Sequence, residues 1–175
     1  APCAQGEEGR IAIRRPDPAM FLGYWNDAPA TAARFQGDWL VTGDMGATDE
    51  DGYIRFLGRS DDVITSAGYR VGPGEVEDCL LRHPAVALAA VIGLPDALRT
   101  EEVTAVIVPR AGVRPDDALV QEIQGFVRAR LASHLYPRRV VFMQDLPMTT
   151  TGKVMRGKLR QDLRGADAAS PDTRP

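Results

Sequence analysis

Three stretches of the 175-residue chain carry side chains whose types and spacing could do chemistry. In Trp39-Leu40-Val41-Thr42-Gly43-Asp44 an acidic side chain stands at the end of a strand-like run, beside a glycine that lets a ligand approach the backbone. A carboxylate there can accept hydrogen bonds from two vicinal hydroxyls, which suits a ribose, although an Asp after Gly is by itself usually a turn residue. The second stretch, from Gly58-Arg59-Ser60-Asp61-Asp62 through Gly68-Tyr69-Arg70 to Glu77, opens with a charged, poorly apolar link where the pattern of the chain changes. Such a link is a natural hinge. The third, Pro147-Met148-Thr149-Thr150-Thr151-Gly152-Lys153-Val154-Met155-Arg156, is a polar loop presenting one lysine. Taken alone, that lysine would be a solvated surface charge.

Two shorter matches fail. Thr151-Gly152-Lys153 resembles the end of a phosphate-binding P-loop, but Pro147 stands where that motif requires its first glycine. Asp49-Glu50-Asp51-Gly52 lacks the spacing of a calcium loop, whose closing glutamate is replaced by Ser60. A hairpin turn accounts for it.

The elements that must position these residues change character along the chain. Ile11-Ala12-Ile13, Trp39 to Thr42 and Tyr53 to Leu57 read as strands, with Gly43 to Gly52 as a turn-rich link. So few strands cannot bury much apolar surface, which makes them the end of a larger domain. From Val63 onward strands and helices alternate. A hairpin turns at Ser66-Ala67-Gly68, and Gly72-Pro73 opens a helix with Val76, Cys79 and Leu80 on one face. Val86 to Leu94 and Val103 to Val108 read as buried strands, and an amphipathic helix lies between Pro115 and His134. A strand over Val140 to Met143 precedes the threonine loop, and a short basic helix runs to about Leu163. The fold class is therefore α+β: a small C-terminal α+β domain of hairpin, mixed sheet and helices, preceded by strands from the end of a larger N-terminal domain.

Composition removes several functions. With 21 basic against 24 acidic residues and a net charge of -3, no basic patch marks a nucleic-acid partner. No apolar stretch reaches the roughly 20 residues of a membrane span, so the expectation is no membrane span and a cytoplasmic location. Cys3 and Cys79 read as two reduced thiols, and no metal site is expected. His83 and His134 have no acidic or nucleophilic partner nearby in sequence and read as structural or solvated.

In this order and spacing the three stretches, supported by Gly23-Tyr24-Trp25-Asn26-Asp27 followed by Thr31 and Phe35, resemble the adenylate-forming (AMP-binding) superfamily. The resemblance runs from about Gly6 to Arg160 and is greatest to acetyl- or medium-chain acyl-CoA synthetases. It implies three segments: residues 1–60, the end of the large AMP-binding domain within its β-barrel subdomain; 61–164, a mobile C-terminal domain; and 165–175, a disordered tail. It implies an acid-thiol ligase with ATP, Mg2+ and coenzyme A, acting on a carboxylic acid substrate. Asp44 matches the aspartate that holds the ribose hydroxyls, and Arg59 the arginine that supports it. Asp61 matches the pivot of the small domain. Lys153 matches the catalytic lysine of adenylation. Gly68 lies in the hairpin that replaces that lysine during thioester formation, and Arg70 matches a phosphate-contacting residue. Tyr69 is expected to pack or to line a channel, and Glu75, Glu77 and Arg156 to support the fold. Thr65 departs from the lysine or asparagine of many relatives. No phosphate loop, adenine-binding segment or acyl pocket occurs in the sequence, and the chain begins at Ala1. It is thus expected to be a fragment that is inactive alone; the other reading is a free-standing regulatory module docking on a separate large subunit.

Overall fold

The computed structural model describes residues 2–169, except the side chains of residues 166–169. The backbone divides into two compact units, Ala1–Asp61 and Asp62–Pro175.

The first unit is a four-stranded antiparallel sheet of β1 (Gly9–Arg14), β2 (Phe35–Gln36), β3 (Trp39–Thr48) and β4 (Ile54–Arg59), with one short helix, α1 (Ala28–Ala32). β3 is the organiser, pairing with each of the other strands. It does not stop at Thr42, as the glycine-rich sequence predicts, because Asp44 to Thr48 pair with β4. The glycine is accommodated by a bulge. Arg10 faces Met45 and Ala12 faces Val41, so Ile11 alone opposes Thr42, Gly43 and Asp44, with Gly43 at φ +87°. The true turn is Asp49 to Gly52, where Asp49 accepts from the amides of Asp51 and Tyr53. α1 begins at Asp27, whose carboxylate accepts from Ala30 N–H at 2.9 Å. Its Thr31 hydroxyl receives the amide of Tyr24 and donates to Asp27 O, which explains the spacing of those residues. Among the described residues, Leu40 and Ala47 are the only buried apolar side chains of this unit, while Leu22, Trp25, Tyr53, Ile54 and Phe56 are exposed.

The second unit carries most of the core. β5 (Ile64–Ser66) and β6 (Tyr69–Val71) form a hairpin, followed by α2 (Pro73–Leu80), then the long pair β7 (Val86–Asp96) and β8 (Thr100–Pro109). α3 (Asp117–Arg128), β9 (Arg139–Phe142) and α4 (Arg156–Ala169) complete it. The sheet runs β6-β5-β8-β7, with β9 parallel to β8. Period-two alternation sends its side chains to opposite faces. Val91, Val103, Ala105 and Ile107 pack with Val76 and Leu80 of α2 and Ile123 and Val127 of α3. Ala90, Ile92, Leu94 and Val106 pack with Leu146 and with Leu159 and Leu163 of α4. Burying a side chain such as Ile123 or Leu159 completely contributes about 1.5–3 kcal/mol each. The fold is α+β, as the sequence predicts.

Two helix ends differ from expectation. α3 stops at Arg128 rather than near His134, because the chain passes into tighter turns (Arg130 N–H to Val127 O, Leu135 N–H to Ala132 O) ahead of Pro137, whose ring disfavours helix at the residue before it. Leu131 still packs on the core. α4 continues past Leu163 to Ala169, so the expected disordered tail is helical over residues 165–169. Residues 170–175, the rest of that expectation, lie outside the described residues. The i, i+4 pair Leu159 and Leu163 anchors this helix to the sheet.

Candidate functional site

In the first unit three of the predicted residues meet. Asp44 lies opposite Arg59 in the β3–β4 ladder, and Arg59 Nη1 is 3.4 Å from Asp44 Oδ1. The same guanidinium donates from Nε to Asp61 Oδ1 at 3.1 Å and from Nη2 to Asp61 Oδ2 at 3.4 Å. Arg59 thus bridges two carboxylates. These pairs are half-exposed, so each contributes at most about 1 kcal/mol and serves chiefly to orient. The bulge presents Asp44 within a strand, not at the end of one as the sequence suggests. Its amide donates to Thr42 Oγ1 at 3.1 Å, and the Thr42 hydroxyl donates to Ile11 O at 2.9 Å, so the extra residues remain bonded. Gly43 is required there: a Cβ would stand 3.2 Å from Arg59 Nη2 in a backbone conformation that side chains rarely adopt.

The second unit holds the other three. Ser66 pairs with Tyr69, leaving Ala67 (φ +49°) and Gly68 (φ +84°) as a two-residue hairpin turn with both central residues left-handed. A Cβ on Gly68 would meet nothing within 4 Å, so the tip opens onto free space. Arg70 is exposed on β6 opposite Thr65, and no described carboxylate pairs with it. The Tyr69 ring stacks on His134, with centroids 4.4 Å apart.

Lys153 closes a compact turn. Met148 bridges to Val154, Thr149 N–H donates to Lys153 O at 2.8 Å, and Lys153 N–H donates to Thr149 Oγ1 at 3.0 Å. Gly152, at φ +79°, makes the reversal. Val154 packs on the core cluster around Leu159. The lysine backbone is therefore fixed while its side chain is exposed, and no described carboxylate forms an ion pair with it.

Sequence reasoning assigned Glu77 and Arg156 to fold support, and they do join α2 to α4, but together with Asp62 and Arg160, which it did not single out. Arg156 reaches Glu77 and Asp62, and Arg160 takes the other Asp62 oxygen at 3.0 Å. Only charge sign hinted at this, since the partners lie far apart in sequence. His83, without an acidic neighbour in sequence, meets one in space from α3. Its ring is buried, Nδ1 accepts from Ala85 N–H at 3.2 Å and Nε2 is 3.4 Å from Glu122 Oε1. Its edge also meets Phe126. It is a structural histidine. Cys3 and Cys79 are both free thiols.

The sequence of residues 75–153 matches the family model for the AMP-binding enzyme C-terminal domain. Over 165 residues the chain is 48% identical to acyl-coenzyme A synthetase ACSM5, mitochondrial, of Mus musculus, a match covering 91% of this chain and 28% of that protein. The solved structure of ATP-bound MatB from Rhodopseudomonas palustris superposes with a TM-score of 0.78 at 35% identity, covering 94% of this chain and 32% of that one. O-succinylbenzoate CoA synthetase (MenE) from Bacillus subtilis, in complex with its acyl-adenylate intermediate, gives 0.77 at 34% identity, covering 90% and 31%. The chain spans less than a third of the length of each. Residues 75–153 are thus an AMP-binding enzyme C-terminal domain, and across both units the chain is similar in sequence and fold to part of acyl-CoA synthetases and of adenylate-forming CoA ligases.

Proposed function

We propose that the chain is the C-terminal part of an ATP-dependent acyl-CoA synthetase. In the first half-reaction a carboxylate oxygen attacks the α-phosphorus of ATP, giving acyl-adenylate and releasing pyrophosphate. In the second, the sulfur of coenzyme A attacks the acyl carbonyl and AMP leaves. Residues 1–60 are read as the end of a large AMP-binding domain, a reading supported by the poverty of buried apolar side chains there and by the exposed Tyr53, Ile54 and Phe56. Residues 61–164 are read as a mobile domain that turns on Asp61.

The roles follow from chemistry. Asp44 accepts from the two ribose hydroxyls, and Arg59 orients it. Lys153 brings a point charge to the converging carboxylate and phosphate oxygens, where negative charge grows in the transition state. After the domain turns, the Gly68 tip takes its place, leaving room for the thiol, and Arg70 meets phosphate. Magnesium enters as the counter-ion of ATP; among the described residues no group of three or more His, Cys, Asp or Glu could hold a metal ion, and no step is assigned to one. No helix among the described residues is long and apolar enough to cross a membrane. Cytoplasmic location remains our proposal, whereas the relative from Mus musculus is mitochondrial by name.

The observation that carries this reading is the exposed ammonium of Lys153, which has no ion pair among the described residues, on a backbone fixed by three hydrogen bonds across Thr149 to Lys153. In the intact enzyme, Lys153→Ala is expected to cut acid-dependent pyrophosphate exchange by about 10²–10³-fold, the loss typical of one preorganised electrostatic group. Thioester formation from supplied acyl-adenylate should persist. Equal damage to both steps would count against the role. The 175-residue chain alone should show no ATP–pyrophosphate exchange.

A further inference from the structure

The Gly68 hairpin is held from outside by the turn that joins β7 to β8. Ala67 N–H donates to Arg99 O at 2.9 Å, and Ser66 bridges to Thr100. To make this approach Thr100 adopts φ +71°, a left-handed conformation that a β-branched residue seldom takes. The next residue completes the hold: Glu101 Oε2 accepts from Thr65 N–H at 2.8 Å. That carboxylate lies against Gly93, where a Cβ would come within 2.7 Å of its carbon and of one oxygen. The missing side chain at 93 is what seats Glu101.

We propose that Glu101 is a positioning residue for thioester formation, fixing the β5 amide at Thr65 so that the Ala67-Gly68 tip keeps one geometry. The inference rests on the function proposed above. Glu101 does not touch substrate. It acts through the hairpin, whose two left-handed tip residues, Ala67 and Gly68, are both exposed and offer a single methyl group for packing. A carboxylate bonded to a strand amide is a strong, directional substitute.

The test uses the intact enzyme in two assays: thioester from supplied acyl-adenylate and coenzyme A, and acid-dependent pyrophosphate exchange. Glu101→Ala is expected to lower the first at least tenfold more than the second. Glu101→Gln, which keeps a carbonyl acceptor for Thr65, should return most of the lost thioester rate. Gly93→Ala displaces the carboxylate by sterics and should reproduce the selective loss, adding nothing further in the Glu101→Ala background. Gly93→Ala also carries the test should Glu101→Ala fold poorly. Equal loss in both assays, or additive losses from Gly93→Ala and Glu101→Ala, overturns the inference alone. Wild-type enzyme that makes no thioester from supplied adenylate overturns the proposed function and this inference with it.

Discussion

The guanidinium of Arg156 grips Glu77 across 79 residues of sequence, with Nη2 at 2.7 Å from Oε2 and 2.8 Å from Oε1. Nε lies 3.2 Å from the same Oε1, which also accepts the β7 amide of Val91 at 2.8 Å. Arg156 opens α4 three residues beyond Lys153, and its Nη1 is 3.3 Å from Asp62 at the start of the second unit. The lysine loop and the first residue of its unit are thus tied to one charged cluster, with two carboxylates against two guanidinium groups.

Arg156→Ala should therefore destabilise residues 62–175 by about 2–4 kcal/mol, since Glu77 and Asp62 are mostly buried and would lose a paired charge. Arg156→Lys keeps the charge but not the planar fork, and should recover less than half of the loss. Denaturant unfolding of the two variants measures this. A loss below about 0.5 kcal/mol for Arg156→Ala would mean that the cluster behaves like an exposed pair.

Much of this was legible in sequence where one physical signal dominated. Apolar periodicity located α2 and the β7–β8 pair, and turn chemistry located the hairpin at Ala67-Gly68. Asp44 was misplaced to a strand end because Gly43 reads as a breaker, whereas pairing on both sides carries β3 through it as a bulge. The cluster of Asp62, Glu77, Arg156 and Arg160, and the contact of Glu101 with Thr65, depend on which elements become neighbours. Local patterns hold no trace of that. Thr100 shows the same limit in reverse, since a threonine gives no sign of a left-handed backbone.

Thr100→Gly is expected to stabilise the second unit. A non-glycine residue in that region costs about 1–2 kcal/mol, and glycine returns about 0.5–1 kcal/mol of it through chain entropy in the unfolded state. The net gain is up to about 1.5 kcal/mol, read as a raised denaturation midpoint. A lowered midpoint would show that the threonine side chain contributes more than its backbone strain costs.

Cys79 lies on the buried face of α2, and burial pushes its thiol pKa up, with Arg130 and Arg82 pulling it partly back. A raised folded-state pKa means that this thiol favours the fold while it stays protonated. That contribution is complete below the unfolded thiol's pKa of about 8.5 and is lost as pH climbs toward the folded value. Stability should accordingly decline above about pH 8.5 in the wild type and less steeply in Cys79→Ala. Near pH 8 a thiol reagent should label exposed Cys3 quickly and Cys79 only on unfolding; equal rates would contradict the burial.

Gly43→Ala tests the ribose site without removing its carboxylate. The added methyl would face Arg59 Nη2 at 3.2 Å and Arg34 Nη1 at 3.4 Å, at a position whose φ is +87°. Arg59 must give way, and with it the orientation of Asp44. If Asp44 holds the ribose equally in ground and transition states, the variant loses uniform binding: KM for ATP rises several-fold while kcat changes little. Asp44→Asn should push KM in the same direction. Lys153→Ala should do the opposite, lowering kcat for adenylation with a smaller effect on KM, because its charge matters most as the phosphate charge converges. Steady-state kinetics of the intact enzyme with these variants separates the two roles. A fall in kcat at constant KM for Gly43→Ala would place Asp44 and Arg59 in the chemical step rather than in nucleotide binding.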